Sequence, residues 1–365
     1  MKGKISLIEL TIISTILIVG TVFIQLPARL ALLAEQSGWL GIPLAMIPGI
    51  LLALAIAWLH RRFPDQSPVR YMREILGEPL GSLFAIYITA LLLAAAAFLV
   101  RDFSVAIIIG AQPLMPLSLV VVIFLLLLLF MTFWGLEVIA RTAVAFLPYI
   151  VISPILVTIG NLRFSQPGRL LPLLGAGLKP IAAATFTSSV YFSELLIMSA
   201  VLPRVRDARR ASLALSAAVL LAVPPLATVA ASAVAVFGPT GTARAVVPGL
   251  ELARMISFGE SLQRVEAVFV VFWMMAAMIK VGVFVWVASE MLAETIRIEN
   301  YRLLLPSIGA LVFVLAMLPQ HFWDQTLAFE VLARLIAISF YTTPAVLIAV
   351  ALIRRKGGRA SNGQQ

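Results

Sequence analysis

The sequence VFWMMAAMIKVGVFVW, residues 271–286, is apolar along its whole length except at Lys280. A helix needs about 20 predominantly apolar residues to cross a bilayer, so this run predicts a membrane-spanning helix. An ammonium group at that depth is costly unless it faces a cavity or pairs with a carboxylate or with carbonyl groups. The stretch therefore predicts a membrane fold and, within it, a buried polar site.

The overall composition also indicates a membrane protein. Hydrophobic residues make up 62% of the 365 residues, charged residues make up 12%, and the mean hydropathy is +1.06. Soluble domains are nearer half apolar and a quarter charged. The sequence has no cysteine and two histidines, and it contains no metalloprotease, nucleophile-elbow or phosphate-loop motif. We therefore expect no enzyme activity, no cofactor and no bound metal.

Apolar runs bounded by charged residues, glycine or proline predict ten membrane spans, and hence an all-α membrane protein. The predicted spans are residues 6–26, 38–59, 81–100, 117–133, 138–160, 178–201, 211–236, 264–288, 304–319 and 328–352. Glu9 and Ser14 interrupt the first run, so we interpret it as a span and not as a signal peptide. We expect residues 1–353 to form a single transmembrane domain and residues 354–365 to form a basic, disordered tail.

The Lys and Arg residues of the predicted loops are unevenly distributed. Ten spans place both termini on one face of the membrane, and that face collects twice as many Lys and Arg residues as the other. Because positively charged loops stay in the cytoplasm, we expect both termini to be cytoplasmic. The net charge of +10 is explained by this topology, with no basic stripe interleaved with aromatic residues. We therefore expect no nucleic-acid partner.

Two predicted loops are long enough to hold helices of their own. Residues 61–79 are amphipathic and cytoplasmic, and residues 237–263 are partly apolar and lie on the opposite face. Either loop suits a short helix on the membrane surface, or a plain loop with one helical turn, and the sequence leaves both alternatives open.

A short internal match indicates two repeated halves. Thr21–Gln25 reads TVFIQ and Ser189–Ser193 reads SVYFS, so hydroxyl, valine, aromatic, bulky apolar and polar residues follow in register. The two stretches fall in the first and sixth spans, which are equivalent positions in a five-plus-five repeat. Gly20 precedes the first stretch, and glycine leaves helical angles without steric cost. We expect both spans to be broken, at Gly20–Gln25 and at Ser188–Glu194.

Broken spans would create a place for a small ligand. The exposed N–H groups of a half-helix attract a carboxylate and the exposed carbonyls attract an ammonium, so a zwitterionic amino acid fits both. The alternative is that the small and hydroxyl residues of these stretches only allow close helix packing.

Glu194 in the sixth span is the carboxylate that we expect opposite Lys280. Lys280 would then take the place of a coupling sodium ion as a fixed cation that braces the first and eighth spans. The alternative is a structural ion pair without a ligand role.

Several stretches together resemble the B subunit of GerA-type spore germinant receptors, a branch of the amino acid–polyamine–organocation transporter superfamily. The most distinctive stretch, PGLELARMISFGESLQRVEAVF, covers Pro248–Phe269 and is followed by Trp273 and Met278–Phe284. Shorter matches are Arg62–Pro64, Val100–Phe103, Gly135–Arg141 and Leu202–Pro203. The resemblance extends over essentially all of residues 5–353.

The resemblance implies a LeuT-type five-plus-five inverted repeat with helices 1 and 6 broken around a ligand. By position, the ligand would contact residues of the first, sixth and tenth spans, namely Gly20, Thr21, Ile24, Ser188, Ser189, Tyr191, Phe192 and Phe340. Lys280 and Glu194 would form the buried charge pair beside it. The family often has Pro and Gly in the break of the sixth span, whereas Ser188–Glu194 has neither.

The resemblance also implies a function. Such subunits sense a small germinant, usually an amino acid, in the inner membrane of dormant spores, surrounded by lipid. They act with a larger A subunit and a C lipoprotein. The alternatives are an autonomous amino-acid permease that works by alternating access, or a scaffold that binds no ligand.

Overall fold

The structure is a computed structural model that describes residues 4–20, 22–110, 114–256, 265–319 and 322–357. Regular secondary structure in these ranges is helical. The α-helices are α1 (Leu7–Val19), α2 (Val22–Ala34), α3 (Gly41–Arg62), α4 (Pro68–Leu76), α5 (Glu78–Gly110), α6 (Leu117–Trp134), α7 (Leu136–Gly160), α8 (Leu178–Ser193), α9 (Met198–Val201), α10 (Ala211–Arg244), α11 (Pro248–Arg254), α12 (Val265–Thr295), α13 (Leu305–Met317) and α14 (Phe322–Ile353). Short 3₁₀ helices lie at Glu35–Leu40, Leu162–Phe164, Pro167–Leu170, Glu194–Ile197, Leu202–Arg204, Ala208–Arg210 and Tyr301–Leu304.

The predicted all-α membrane fold is confirmed. Within the described residues, eight helical runs are long and apolar enough to cross a membrane, and shorter apolar helices cover Leu7–Val19 and Tyr301–Met317. The first span is α1 with α2, and the sixth is α8 with α9. The remaining spans are, in order, α3, α5, α6, α7, α10, α12, α13 and α14. The third span is longer than predicted, because α5 continues past residue 100 to Gly110.

The packing of these helices has the symmetry of an inverted repeat. If the second half starts at α8, then α3 is equivalent to α10, α5 to α12, α6 to α13 and α7 to α14. The contacts agree with this equivalence. Helix α3 packs on α8, and its equivalent α10 packs on α2. Helix α7 packs on α12, and its equivalent α14 packs on α5. Likewise, α1 contacts α7 as α8 contacts α14, while α5 and α12 pack on each other across the centre.

Both predicted loop helices are present and occupy equivalent places after the second and seventh spans. Helix α4 lies within residues 61–79, and Ser67 caps it by accepting a hydrogen bond from the Arg70 backbone. Helix α11 lies within residues 237–263, of which residues 257–263 are outside the described part of the chain. The alternative of plain loops is therefore wrong for both.

One face of the bundle carries both ends of the described chain, and we call it the terminal face. Ile5 forms a parallel bridge with Val205, so the start of the first span is hydrogen-bonded to the end of the sixth. The Lys356 carbonyl accepts a hydrogen bond from Arg62, and the Arg354 guanidinium donates to the Ile75 carbonyl. Residues 354–357 thus contact the α3–α4 region, while residues 358–365 of the predicted tail lie outside the described residues.

Arginine side chains bind the carboxyl ends of the two short scaffold helices, α6 and α13. At 1.5 Å per residue, α13 is about 20 Å long, shorter than the hydrocarbon core of about 30 Å. Its end is satisfied by Arg101 of α5, whose guanidinium lies 2.8 Å from the Ala316 carbonyl oxygen. On the terminal face, Arg302 donates to the Phe133 carbonyl at the end of α6 at 2.9 Å. A carbonyl in an apolar environment is costly without a donor, so the buried Arg101 contact stabilises a helix that ends early, whereas the Arg302 contact is exposed.

Replacing Arg101 with leucine should destabilise the protein, because the Ala316 carbonyl loses a charged donor in a buried position. Arg101 is only 7% exposed. We expect a loss of about 1–3 kcal/mol in unfolding free energy, measured as a lower Tm of the purified chain in detergent. Arg209→Leu, at an exposed position before α10, is the matched control and should leave Tm unchanged. Equal stability of the parent and Arg101→Leu would mean that the Ala316 carbonyl does not depend on this arginine.

Candidate functional site

The first span is broken where the sequence predicts. Helix α1 ends at Val19 and α2 begins at Val22, with Gly20 between them. A Cβ atom at Gly20 would lie 3.2 Å from the Ala276 carbonyl oxygen of α12 and 2.8 Å from the Ile16 carbonyl oxygen. Glycine therefore lets the broken span approach the eighth span backbone to backbone. Thr21, and the side chain of Ile24, lie outside the described residues.

The interruption of the sixth span lies later than predicted and is milder. Helix α8 continues through Ser188–Ser193, and a 3₁₀ turn at Glu194–Ile197 precedes α9. The Glu194 backbone stays near helical angles (φ −60°, ψ −15°). Because this stretch contains neither Gly nor Pro, tightening into a 3₁₀ turn is cheaper than leaving helical space altogether. The predicted position of the break, Ser188–Glu194, is corrected to Glu194–Ile197.

A buried ion pair joins the sixth and eighth spans. The Lys280 Nζ lies 2.7 Å from the Glu194 Oε2, and the Lys280 side chain is fully buried. The ammonium also lies 5.7 Å from the centre of the Tyr191 ring, within the range of a cation–π interaction. The structure therefore shows the contact that was expected between Lys280 and Glu194. Its role at a ligand site stays a prediction.

A narrow cavity lies beside this pair, toward the face opposite the terminal face. It encloses about 50 Å³ and is bordered by side chains of the first, third, sixth, eighth and tenth spans. Its polar lining consists of Gln25, Asp102, Tyr191 and Glu194, and the apolar lining is Ala95, Phe98, Leu99, Val190, Phe284, Leu332, Ala333 and Ile336. Of the predicted ligand residues, Tyr191 therefore lines this cavity, together with Glu194 of the predicted charge pair.

Hydrogen bonds connect the polar lining to the first span. The Gln25 amide nitrogen donates to the Asp102 carboxylate at 3.1 Å, and its oxygen accepts from the Arg29 guanidinium at 3.0 Å. Arg29 also acts electrostatically on Asp102 and on Tyr191. The region thus has two carboxylates, Asp102 and Glu194, and two cations, Arg29 and Lys280. A charge-balanced cavity favours a ligand without net charge, because an extra buried charge would be unpaired.

The other predicted residues lie around the cavity without lining it. Phe192 packs on α3, where a Cβ atom at Gly49 would lie 3.0 Å from its ring. Ser189 donates to the Phe186 carbonyl, and its own carbonyl accepts a hydrogen bond from Tyr341 of α14. Ser188 is buried, with no hydrogen-bond partner for its hydroxyl among the described residues. Their assignment to the ligand site stays a prediction.

Phe340 borders a second, smaller cavity and not the one that Tyr191 lines. It is fully buried, and this cavity of about 10 Å³ is also bordered by Leu196 and Ile197. A wide vestibule of about 540 Å³ opens at the terminal face and is bordered by Arg204 and Glu290, which pair at 2.9 Å. Phe340 thus belongs to the buried packing near this vestibule, and its assignment to the ligand site stays a prediction.

Two residues of the site, Asp102 and Gln25, are missing from the set that sequence reasoning selected. The predicted third span ends at residue 100, so Asp102 is expected at the membrane surface. A carboxylate in contact with water does not indicate a functional site. In the structure it lies inside α5 and is 9% exposed. The usable signal was the apolar run Val105–Ile109 after it, since an ionisable residue within a span indicates a functional site.

The geometry places the chain in a definite class of membrane proteins, those built from two inverted five-span halves whose first and sixth spans are interrupted beside a mid-membrane cavity. Within the described residues, no group of three or more His, Asp or Glu side chains is arranged to hold a metal ion. Such proteins bind small molecules between the two repeats.

Comparison with known proteins identifies the family. The sequence profile described as "Spore germination protein" matches residues 4–324, so the chain belongs to this family of spore germination proteins. Similar relatives are spore germination protein KB and spore germination protein YndE of Bacillus subtilis (strain 168). The first is 22% identical, with 100% of this chain and 99% of the relative covered. The second is also 22% identical, with 97% and 98% covered. The family resemblance found in the sequence is confirmed.

Two solved structures share the fold. A nucleobase-cation-symport-1 family transporter in a closed conformation, with bromovinylhydantoin bound, aligns with a TM-score of 0.75 at 14% identity, over 97% of this chain and 80% of its own. A Na⁺-coupled sialic acid symporter in a substrate-bound outward-open state aligns with a TM-score of 0.69 at 12% identity, over the same shares. These similarities confirm the LeuT-type five-plus-five inverted repeat.

Replacing Lys280 with methionine should destabilise the ligand-free protein, because Glu194 is left as an unpaired buried carboxylate. Removing one partner of a buried pair typically costs about 3–5 kcal/mol, whereas replacing both by apolar residues is often nearly neutral. We therefore expect a clear fall in Tm for Lys280→Met and a recovery for Lys280→Met combined with Glu194→Met. A normal Tm for the single variant would mean that Lys280 faces water or a partner and is not buried against Glu194.

Proposed function

We propose that this chain is the B subunit of a spore germinant receptor, and that it senses a small germinant in the cavity between its broken spans. The observation that carries the proposal is the group of Gln25, Asp102 and Glu194, which the first, third and sixth spans bring to one buried, charge-balanced cavity. Membership in the spore germination family supports the biological role.

A zwitterionic amino acid suits this cavity best. It adds no net charge, its ammonium can donate hydrogen bonds to the carboxylates, and its side chain meets the apolar wall around Phe98 and Phe284. The cavity of about 50 Å³ is far below the roughly 300 Å³ at which ligand pockets begin, so binding requires the surrounding spans to separate. A ligand that binds the expanded state more tightly shifts the equilibrium toward it, which is the signal that a receptor needs.

The proposal includes partners and a location. The subunit acts with an A subunit and a C lipoprotein in the spore inner membrane, with the terminal face in the cytoplasm. The excess of Lys and Arg on the terminal face supports this orientation. The bridge between Ile5 and Val205 supports transmission, because it joins the first and sixth spans at the face where a partner would detect their movement.

The second candidate is an autonomous amino-acid permease. It is favoured by the fold, which the chain shares with two solved transporters, and by the wide vestibule at the terminal face. Alternating access would need a passage to open between the cavity beside Glu194 and this vestibule, through the packing around Phe340.

Replacing Asp102 with asparagine should weaken ligand binding about tenfold or more, because a charged hydrogen-bond partner and the local charge balance are lost together. The measurement is the thermal stabilisation of the purified chain by a panel of amino acids and sugars. Asp65→Asn, at an exposed position on the terminal face, removes the same charge outside the site and should bind like the parent. If Asp102→Asn responds to the ligand like Asp65→Asn, this cavity is not the binding site.

A receptor subunit and a permease differ in transport. We expect proteoliposomes that contain this chain alone to show no counterflow of a labelled amino acid that stabilises it. Reconstitution with the A and C subunits should give a complex whether or not the ligand is present. Robust counterflow by the chain alone would refute the receptor and establish the permease.

A further inference from the structure

A cluster of large apolar side chains is exposed on the connection between the fifth and sixth spans. We call it the outer-loop patch; its members are Leu162, Phe164, Leu171, Leu173, Leu174 and Leu178. Leu171 is 62% exposed, Leu174 is 61% exposed and Leu178 is 77% exposed. Exposing several such side chains to water is unfavourable, so the patch indicates a surface that is covered in the membrane.

The connection is held in place, so the leucines cannot turn inward. The Gln166 amide donates to the Ala235 carbonyl at 3.0 Å, and the Arg169 guanidinium donates to the Val236 carbonyl. Gly175 packs against Gln36 so closely that a Cβ atom there would lie 2.3 Å from the Gln36 amide nitrogen. The backbone is thereby attached to the outer ends of the first and seventh spans, with the patch facing away from the protein.

The patch continues surfaces that already face lipid. It begins directly after α7, whose side chains Ile155 and Ile159 are 48% and 58% exposed. It ends at the start of α8, a helix that exposes Leu178 at its first turn and Phe186, 50% exposed, at its middle. Exposed basic side chains, Arg163 and Lys179, flank the two ends of the loop. Apolar residues bordered by Lys and Arg at the end of a span are typical of a segment that lies in the membrane interface.

We propose that residues 162–178 are a membrane-interface anchor, in which the outer-loop patch inserts into the acyl boundary of the outer leaflet while Arg163 and Lys179 reach the phosphate groups. The anchor fixes the outer ends of the first and seventh spans, through Gln36 and Ala235, at a set depth in the bilayer. It does not depend on the ligand site or on the receptor function.

The absence of cysteine from the sequence allows a direct test. Leu171→Cys and Leu174→Cys, each labelled with an environment-sensitive NBD fluorophore, are reconstituted as full chains in phosphatidylcholine–phosphatidylglycerol vesicles. Leu127→Cys, on the lipid-facing side of α6, sets the lipid reference, and Asp207→Cys, in an exposed loop of the terminal face, sets the aqueous reference. We expect lipids with a doxyl group near the headgroup to quench both loop labels several-fold more than the label at residue 207, and aqueous iodide to quench them less.

The proposal is overturned if iodide quenches the labels at residues 171 and 174 as it quenches the label at residue 207, with no quenching by doxyl lipids. Protection from iodide that appears only after the A and C subunits are added would assign the patch to a protein partner, and this outcome would also overturn the lipid assignment. Because the labels are read in vesicles without ligand, failure of this proposal leaves the ligand-site proposal unaffected.

Discussion

The buried pair of Lys280 and Glu194 is the constraint on which the rest of the bundle depends. Neither charge is stable alone within the hydrocarbon core, so the sixth and eighth spans must stay within bonding distance wherever else the chain moves. The eighth span in turn contacts the break of the first span, where Gly20 lies against the Ala276 carbonyl. The pair therefore fixes three spans around the same point, and the cavity lies directly beside it, with Glu194 in its lining.

The inverted repeat explains why the same contact is found at both faces of the bundle. A carbonyl in the last turn of α6 accepts a hydrogen bond from Arg302, and a carbonyl in the last turn of α13 accepts one from Arg101. In each case the arginine belongs to the opposite repeat. The surface helices α4 and α11 likewise occupy equivalent places. The symmetry is visible in the packing of the helices and in the positions of these arginines.

Much of the fold follows from hydrophobic runs, because lipid leaves long apolar helices as the stable state of such runs. The sequence also identified Lys280 and its partner Glu194, since both lie within spans on any reading. The sequence does not reveal Asp102 as a site residue, because the charges at residues 101 and 102 predict the end of a span, although α5 continues past them to Gly110. It also misplaced the interruption of the sixth span: residues 188–193 contain no helix breaker, and the 3₁₀ turn that follows depends on tertiary packing, which local composition does not report.

A receptor and a permease of this fold could share the same ligand cavity. They would differ in whether a passage opens from that cavity to the terminal face. A cavity of about 50 Å³ admits no amino acid without movement of the spans, and this holds for sensing and for transport alike. For transport, movement must also open a passage to the vestibule through the packing around Phe340. For the proposed sensing, movement of the first and sixth spans would be enough, because the bridge between Ile5 and Val205 joins these spans at the terminal face. A protein whose packing around Phe340 stays closed while its broken spans move would therefore signal without transporting.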